Sequence, residues 1–165
     1  GYAVTAVLGK REVMQAAEKS FISSTFWTER IGSSAALATL KAMDKEKSWE
    51  KITSTGEHIN QEWLKLSQEF ELPITISGLA ALTTFTFKSD NALAYKTLIT
   101  QEMLKKGYLA ATAVYVCTAH TPDIIKTYLE NLKPIFKTIK ECEEGRDIMK
   151  LLEGPIAHNG FKRLN

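Results

Sequence analysis

Apolar residues change their spacing several times along this chain, and each change marks an element. Tyr2 to Leu8 is an apolar, partly β-branched run closed by Gly9, which predicts a buried strand. Lys10 to Lys19 predicts a short helix with Val13, Met14 and Ala17 on one side. Phe21 to Gly32 carries no period and reads as a loop. Ser33 or Ser34 is then placed to cap a helix that opens with the small residues Ala35, Ala36 and Ala38 and continues through Leu37, Leu40 and Met43. A helical pattern resumes through Trp49, Ile52, Ile59, Trp63, Leu66 and Phe70. The last four are spaced by four, three and four, one helical face, and Pro73 stops the run.

Beyond Pro73 the texture becomes β-like. Ile74 to Ser77 and Leu82 to Phe87 are short runs around Gly78, the second with Thr83, Phe85 and Phe87 alternating against Leu82, Thr84 and Thr86. Asn91 to Lys106 is helical, with Leu93, Leu98, Gln101 and Leu104 on one stripe and Gly107 as its stop. Tyr108 to Cys117 predicts a third strand. Thr121-Pro122-Asp123 combines a capping hydroxyl, a first-turn proline and an acid near the positive end of the helix dipole. The buried side of that helix is expected to hold Ile124, Ile125, Tyr128, Leu129, Leu132, Phe136 and Ile139, with Pro134 kinking or splitting it. A short helix near Asp147 to Leu152 is the last element predicted.

The order strand, strand, helix, strand, helix points to an α+β or α/β chain whose small sheet is mostly antiparallel. Residues 1–72 read as the end of a larger domain plus a long connecting helix, 73–142 as a small α+β domain, and 143–165 as a tail. The chain opens abruptly on its apolar run, so it is expected to be a fragment. An orphan strand at its start is also expected to make the isolated chain prone to association.

Composition narrows the function classes. Charged residues of both signs are mixed and the formal net charge is +2, with no basic stripe interleaved with aromatics, so nucleic acid is not an expected partner. No apolar run approaches the ~20 residues of a membrane span, and no signal-peptide pattern opens the chain. Cys117 and Cys142 are too few for a disulfide scaffold, which fits a reduced, cytoplasmic protein. His58, His120 and His158 are scattered, so no metal site is expected.

Three stretches carry a resemblance. The first is Gly1-Tyr-Ala-Val-Thr-Ala-Val-Leu-Gly-Lys-Arg-Glu-Val-Met14. The second is Ser23-Ser-Thr-Phe-Trp-Thr-Glu-Arg-Ile-Gly-Ser-Ser-Ala-Ala-Leu-Ala-Thr-Leu40. The third is Gln101-Glu-Met-Leu-Lys-Lys-Gly107 followed by Ala119-His-Thr121. In this order the chain resembles the C-terminal portion of class III aminotransferases that use pyridoxal 5'-phosphate (PLP), especially those similar to glutamate-1-semialdehyde aminomutase. The resemblance spans residues 1 to about 140.

It implies a fold-type I enzyme active as a homodimer on a small-molecule amino donor and acceptor. The lysine that holds the cofactor is expected upstream of Gly1, so this piece contains no catalytic residue and is expected to be inactive alone. Thr25 is implied as a hydroxyl donor to the cofactor phosphate of the neighbouring subunit, with Ser24 as a weaker candidate. A dianion is well served by hydroxyl and loop N–H donors. The plain alternative for Thr25 is a turn or capping role. Two departures are visible. Thr112 stands where the aminomutases carry a glutamate, and Phe26-Trp27-Thr28-Glu29-Arg30 replaces a small-residue segment. Both favour a transaminase over a true aminomutase.

Other chemistry-bearing residues have plainer readings. His120 has the makings of a general base, but a corner histidine bonded to loop carbonyls is the simpler reading. Cys117 lacks a basic neighbour in sequence and reads as a buried small hydrophobe. Glu29-Arg30 suits a substrate carboxylate or an ion pair. Lys41, Lys45, Lys47 and Lys51 read as a solvated face, and Trp49 and Trp63 as core. Residues 160–165 either fold back over an active site or fray. Outside catalysis, a non-catalytic α+β interaction module with only topological similarity remains the competing class.

Overall fold

The computed structural model describes every residue except 22–24, 27, 159 and 161–165. The chain divides into two compact units, Gly1–Ser48 and Trp49–Asn165. Residue 72 lies within the second of these units.

The first unit holds helix α1 (Arg11–Met14), a 3-10 turn over Gln15–Lys19 and helix α2 (Ile31–Glu46). Tyr2 to Leu8 is not a strand: it has no ladder, and Val7 and Leu8 are 73% and 90% exposed. An extended run becomes a strand only when a neighbour accepts its peptide hydrogen bonds, and the described residues of this unit offer none. Neither serine caps α2. The helix begins earlier, at Ile31, because the Glu29 carboxylate accepts the Ile31 and Gly32 N–H groups at 2.5 and 2.9 Å. An anion at a helix N-terminus satisfies orphan donors and meets the positive dipole end. Lys47, in left-handed conformation at φ 51°, closes α2.

The second unit contains the core. Helix α3 (Ser48–Glu69) turns Gly56, Ile59, Trp63 and Leu66 inward, the heptad-like stripe of a packed face. It stops before Pro73. Glu71 takes φ 52°, its N–H bonds the Gln68 carbonyl, and the Leu72 N–H bonds the Ser67 carbonyl at 2.9 Å. This pattern is a Schellman motif built on glutamate rather than glycine. Strands β1 (Ile74–Leu79) and β2 (Leu82–Phe87) form a hairpin with Leu79 opposite Leu82. Strand β3 (Ala113–Tyr115) adds antiparallel to β2, giving the order β1-β2-β3. The third strand is shorter than predicted because Tyr108–Ala110 makes no ladder. Thr83, Phe85 and Phe87 face the core, as their alternation requires.

Helix α4 (Ala92–Lys105) buries Ala94, Tyr95, Leu98, Ile99 and Met103, so its inner face differs from the predicted stripe: Leu104 is exposed and Gln101 only half-buried. Helix α5 (Pro122–Glu143) starts on the Thr121 hydroxyl, which accepts the Ile124 N–H at 3.4 Å. It runs unbroken through Pro134. Seven buried residues, among them Leu132, Ile135 and Phe136 on either side of the proline, outweigh one missing helical hydrogen bond. Ile124, expected inside, is 45% exposed. Cys117 is also exposed, because β3 ends at Tyr115 and the chain turns there. Of the two tryptophans assigned to the core, Trp63 is fully buried and Trp49 is 41% exposed.

Phe85 lies at the centre of the aromatic packing, with Trp63, Phe87 and Phe136 at centroid distances of 4.7, 5.5 and 5.9 Å. Tyr95 stacks edge-on against Phe87, and its buried hydroxyl faces Glu143, Asn91 and Ser89 without a hydrogen bond of normal geometry. Burial first and Glu143 second push the Tyr95 phenol up to about 12. Burial moves Tyr128 in the same direction. A folded-state value above the ordinary 10 means that the unfolded chain releases its proton first. Stability is therefore complete below pH 10 and is lost as pH rises from 10 toward 12. Urea titrations across pH 8–12 should show this fall. Tyr95→Phe should lessen it and leave stability at pH 7 unchanged or slightly higher, since a buried unpartnered hydroxyl is removed. Superimposable pH curves for the two proteins would assign the alkaline loss elsewhere.

Candidate functional site

The two candidate regions lie in different units. In the first unit, Thr25 and Phe26 form an exposed turn that runs toward α2, and the Glu29 N–H closes it on the Phe26 carbonyl at 3.0 Å. The turn is tied to the helix through the same Glu29, whose carboxylate caps α2. Gly32, the first-turn glycine of α2, is buried, and a Cβ there would stand 3.2 Å from the Ala3 carbonyl, so the N-terminal segment passes close over the helix start. Thr25 is therefore an exposed residue in a turn whose far end is tied to the start of α2. Ser24 lies outside the described residues.

Sequence reasoning left the role of Glu29 open between substrate binding and ion pairing. The structure makes it a cap, and an acid two residues before the first helical residue was the signal for it. Because that carboxylate fills the helix N-terminus, α2 does not itself offer a free anion site. The exposed Arg30 stands beside this cap.

In the second unit, an open apolar groove of about 360 Å³ lies between β3, the 107–110 segment and the start of α5. Ile59 and Tyr128 line it from the core side, and Tyr108, Tyr115, His120 and Ile124 complete it. The Tyr128 hydroxyl accepts the Trp63 indole N–H at 3.1 Å, so its polar atom is engaged inside. His120 does not bond loop carbonyls through its ring. Its Nδ1 accepts the Cys117 N–H at 3.3 Å, which makes the imidazole an acceptor at that nitrogen and places the residue in the turn that starts α5. Thr112, at the position where a glutamate was looked for, is buried. Its carbonyl accepts the Phe85 N–H and the Thr84 hydroxyl, both at 2.9 Å, so the residue serves the sheet edge. Among the described residues no group of three or more His, Cys, Asp or Glu is placed to hold a metal ion. No helix of the described chain is long and apolar enough to cross a membrane. Lys41, Lys45, Lys47 and Lys51 are all solvent-exposed, as their spacing suggested.

No protein-family model matches the chain. It is 28% identical over 147 residues to a 3-aminobutyryl-CoA aminotransferase of Cloacimonas acidaminovorans, covering 86% of this chain and 36% of that protein. It is 24% identical to an aminopentol aminotransferase of Sphingopyxis macrogoltabida, covering 94% of this chain and 36% of that protein. A glutamate-1-semialdehyde 2,1-aminomutase of Desulfitobacterium hafniense is 25% identical over 84% of this chain and 36% of its own length. Among solved structures, the PLP internal aldimine form of the FumI protein of Sphingopyxis sp. MTA144 superposes with a TM-score of 0.70. It is 21% identical and covers 88% of this chain and 36% of that one. The chain thus spans about a third of the length of the relatives it matches. In sequence and in fold it is similar to a C-terminal portion of PLP-dependent aminotransferases and glutamate-1-semialdehyde aminomutases.

Proposed function

We propose that this chain is the C-terminal part of a class III, PLP-dependent transaminase that moves an amino group between a small amino donor and a keto or aldehyde acceptor, as a cytoplasmic homodimer. The observation that carries this reading is similarity to aminotransferases and aminomutases across most of the chain, joined to the same fold. A purely topological likeness, the interaction-module alternative, would not bring 28% identity over 147 residues with it.

The residues present fit the cofactor at one point, its phosphate. Thr25 is exposed, and its hydroxyl is a neutral donor suited to a dianion approaching from outside its own unit. PLP, when bound, supplies an electron sink for the carbanion formed at the substrate carbon. The contribution assigned to this chain is to hold the phosphate end and so orient the ring held by the neighbouring subunit. No lysine here occupies the context of the cofactor lysine, since Lys10 follows the apolar segment instead of preceding it. On this reading that lysine lies upstream of Gly1 and this piece alone is inactive. The transaminase is preferred to the aminomutase because buried Thr112 offers no carboxylate at its position.

The test uses the full-length parent protein. Borohydride reduction should fix PLP on a lysine upstream of Gly1, and a parent that folds but never takes up the cofactor would dismiss the assignment. Thr25→Ala should weaken PLP binding about tenfold or more, the value of one hydrogen bond to a charged group. Unchanged cofactor affinity in that variant would remove Thr25 from the site while leaving the transaminase reading to the trapping result.

A further inference from the structure

After α5 the chain turns back at Gly145, whose φ of +112° suits glycine. A short 3-10 turn over Ile148–Lys150 follows, and then no regular structure up to Ala157. The peptide groups of such a segment have no ladder to join. Here the side chains of one α4 stripe receive them. Gln101 donates from Nε2 to the Leu151 carbonyl at 2.9 Å, and its Oε1 accepts the Glu153 N–H at 2.8 Å. A single amide thereby grips both kinds of backbone group. One turn earlier, Thr97 Oγ1 accepts the Ala157 N–H at 3.0 Å while donating to the Leu93 carbonyl at 2.8 Å. One turn later, Lys105 pairs with the Glu153 carboxylate at 2.6 Å.

Positions 97, 101 and 105 share a helix face, and their partners run in the opposite sense, so the segment lies antiparallel to α4. Apolar burial along it is thin. Leu151 and Leu152 are half-buried, while Glu153, Gly154, Pro155 and Ile156 are exposed.

We propose that residues 151–157 form a strap, seated on a backbone-reading stripe of α4 and able to leave it while the core stays folded. A segment held by a few side-chain hydrogen bonds opens at far lower cost than one held by buried apolar surface. Leu151 also walls the cavity of about 320 Å³ between α4 and α5 that Leu98, Pro134, Ile135 and Arg146 line. Leaving the strap position takes the Leu151 wall from that already open cavity. This inference is independent of the cofactor reading.

Native-state hydrogen exchange on the full chain tests it. In the wild type, the Glu153 and Ala157 amides should exchange at least about 100-fold faster than those of Ile99 and Leu132, through an opening that urea scarcely accelerates. Gln101→Ala should speed Glu153 a further five- to tenfold, about the effect of one hydrogen bond, with the ratio to Leu132 as the readout should global stability also change. Thr97→Val should speed Ala157 similarly and leave Glu153 as protected as before. Exchange of both amides at the Leu132 rate, or no response to either substitution, would overturn the strap.

Discussion

Trp63→Ala should remove about 4–8 kcal/mol from the stability of the residue 49–165 unit, a large share of what a domain of this size holds. Two costs add. Truncating a fully buried tryptophan typically costs about 3–5 kcal/mol in lost transfer energy and cavity. The second cost is chemical: Trp63 donates its indole N–H to the Tyr128 hydroxyl inside the core, and its loss strands that hydroxyl at about 1–3 kcal/mol. A domain of this size holds roughly 5–15 kcal/mol in all. The ring also stacks edge-on against Phe85, which in turn meets Phe87 and Phe136, so the cavity would open at the meeting point of α3, β2 and α5. Urea unfolding should show the midpoint falling at an unchanged slope. Trp63→Phe separates the two terms, since it keeps most of the packing and still strands the Tyr128 hydroxyl. A loss below about 2 kcal/mol for the alanine variant would show that the core collapses around the gap and that Trp63 does not organise it.

The second unit was largely legible in the sequence because its signals are local. The stripe from Ile59 to Leu66, the alternation of Thr83, Phe85 and Phe87, and the Thr121-Pro122 helix start each need only a few neighbouring residues to be read. What failed depends on partners remote in sequence. Tyr2 to Leu8 has strand composition, but a strand is a property of a pair, and the first unit supplies no neighbour among its described residues. Leu104 fits a stripe on paper, yet the inner face of α4 is set by which side meets β2 and α5. Pro134 forbids one hydrogen bond and says nothing of the packing on either side that holds α5 together. Cys117 looks buried inside an apolar run only until β3 ends two residues before it.

The candidate site divides in the same way. Its threonine was visible through resemblance, whereas the cap behind it was not. Glu29 orders the helix after the turn through two backbone N–H groups, a role that an acid two residues before the helix start signals only once that start is known. In the first unit only Gly32 and Ser48 are buried among the described residues, while Leu37 and Leu40 of α2 are about 60% exposed. A unit with so little interior has few apolar contacts, so the hydrogen bonds of the turn and the cap supply much of its local order.

Gly56→Ala should be destabilising by about 3 kcal/mol or more, against the sign that helix propensity alone dictates. In the interior of an exposed helix this substitution gains about 1 kcal/mol. At position 56 the hairpin between β1 and β2 lies directly on α3, and an added Cβ would sit 1.8 Å from the Ala80 carbonyl oxygen and 2.4 Å from its carbon. The obstacle is backbone in a tight turn, with Leu79 paired to Leu82 on its flanks, so no side-chain rotation relieves it. Either α3 withdraws from the sheet, opening the core beneath Trp63, or the hairpin bends and loses its register. Overpacking of this kind costs about 1–3 kcal/mol where flexible side chains give way, and more where they cannot. Gly154→Ala is the matched control. A Cβ there meets nothing within 4 Å, so the change should stay within about 0.5 kcal/mol. Thermal and urea unfolding of the two variants measure the difference. A Gly56→Ala protein as stable as the wild type would mean that the turn does not rest on α3, and that the helix and the sheet are joined through the aromatic layer alone.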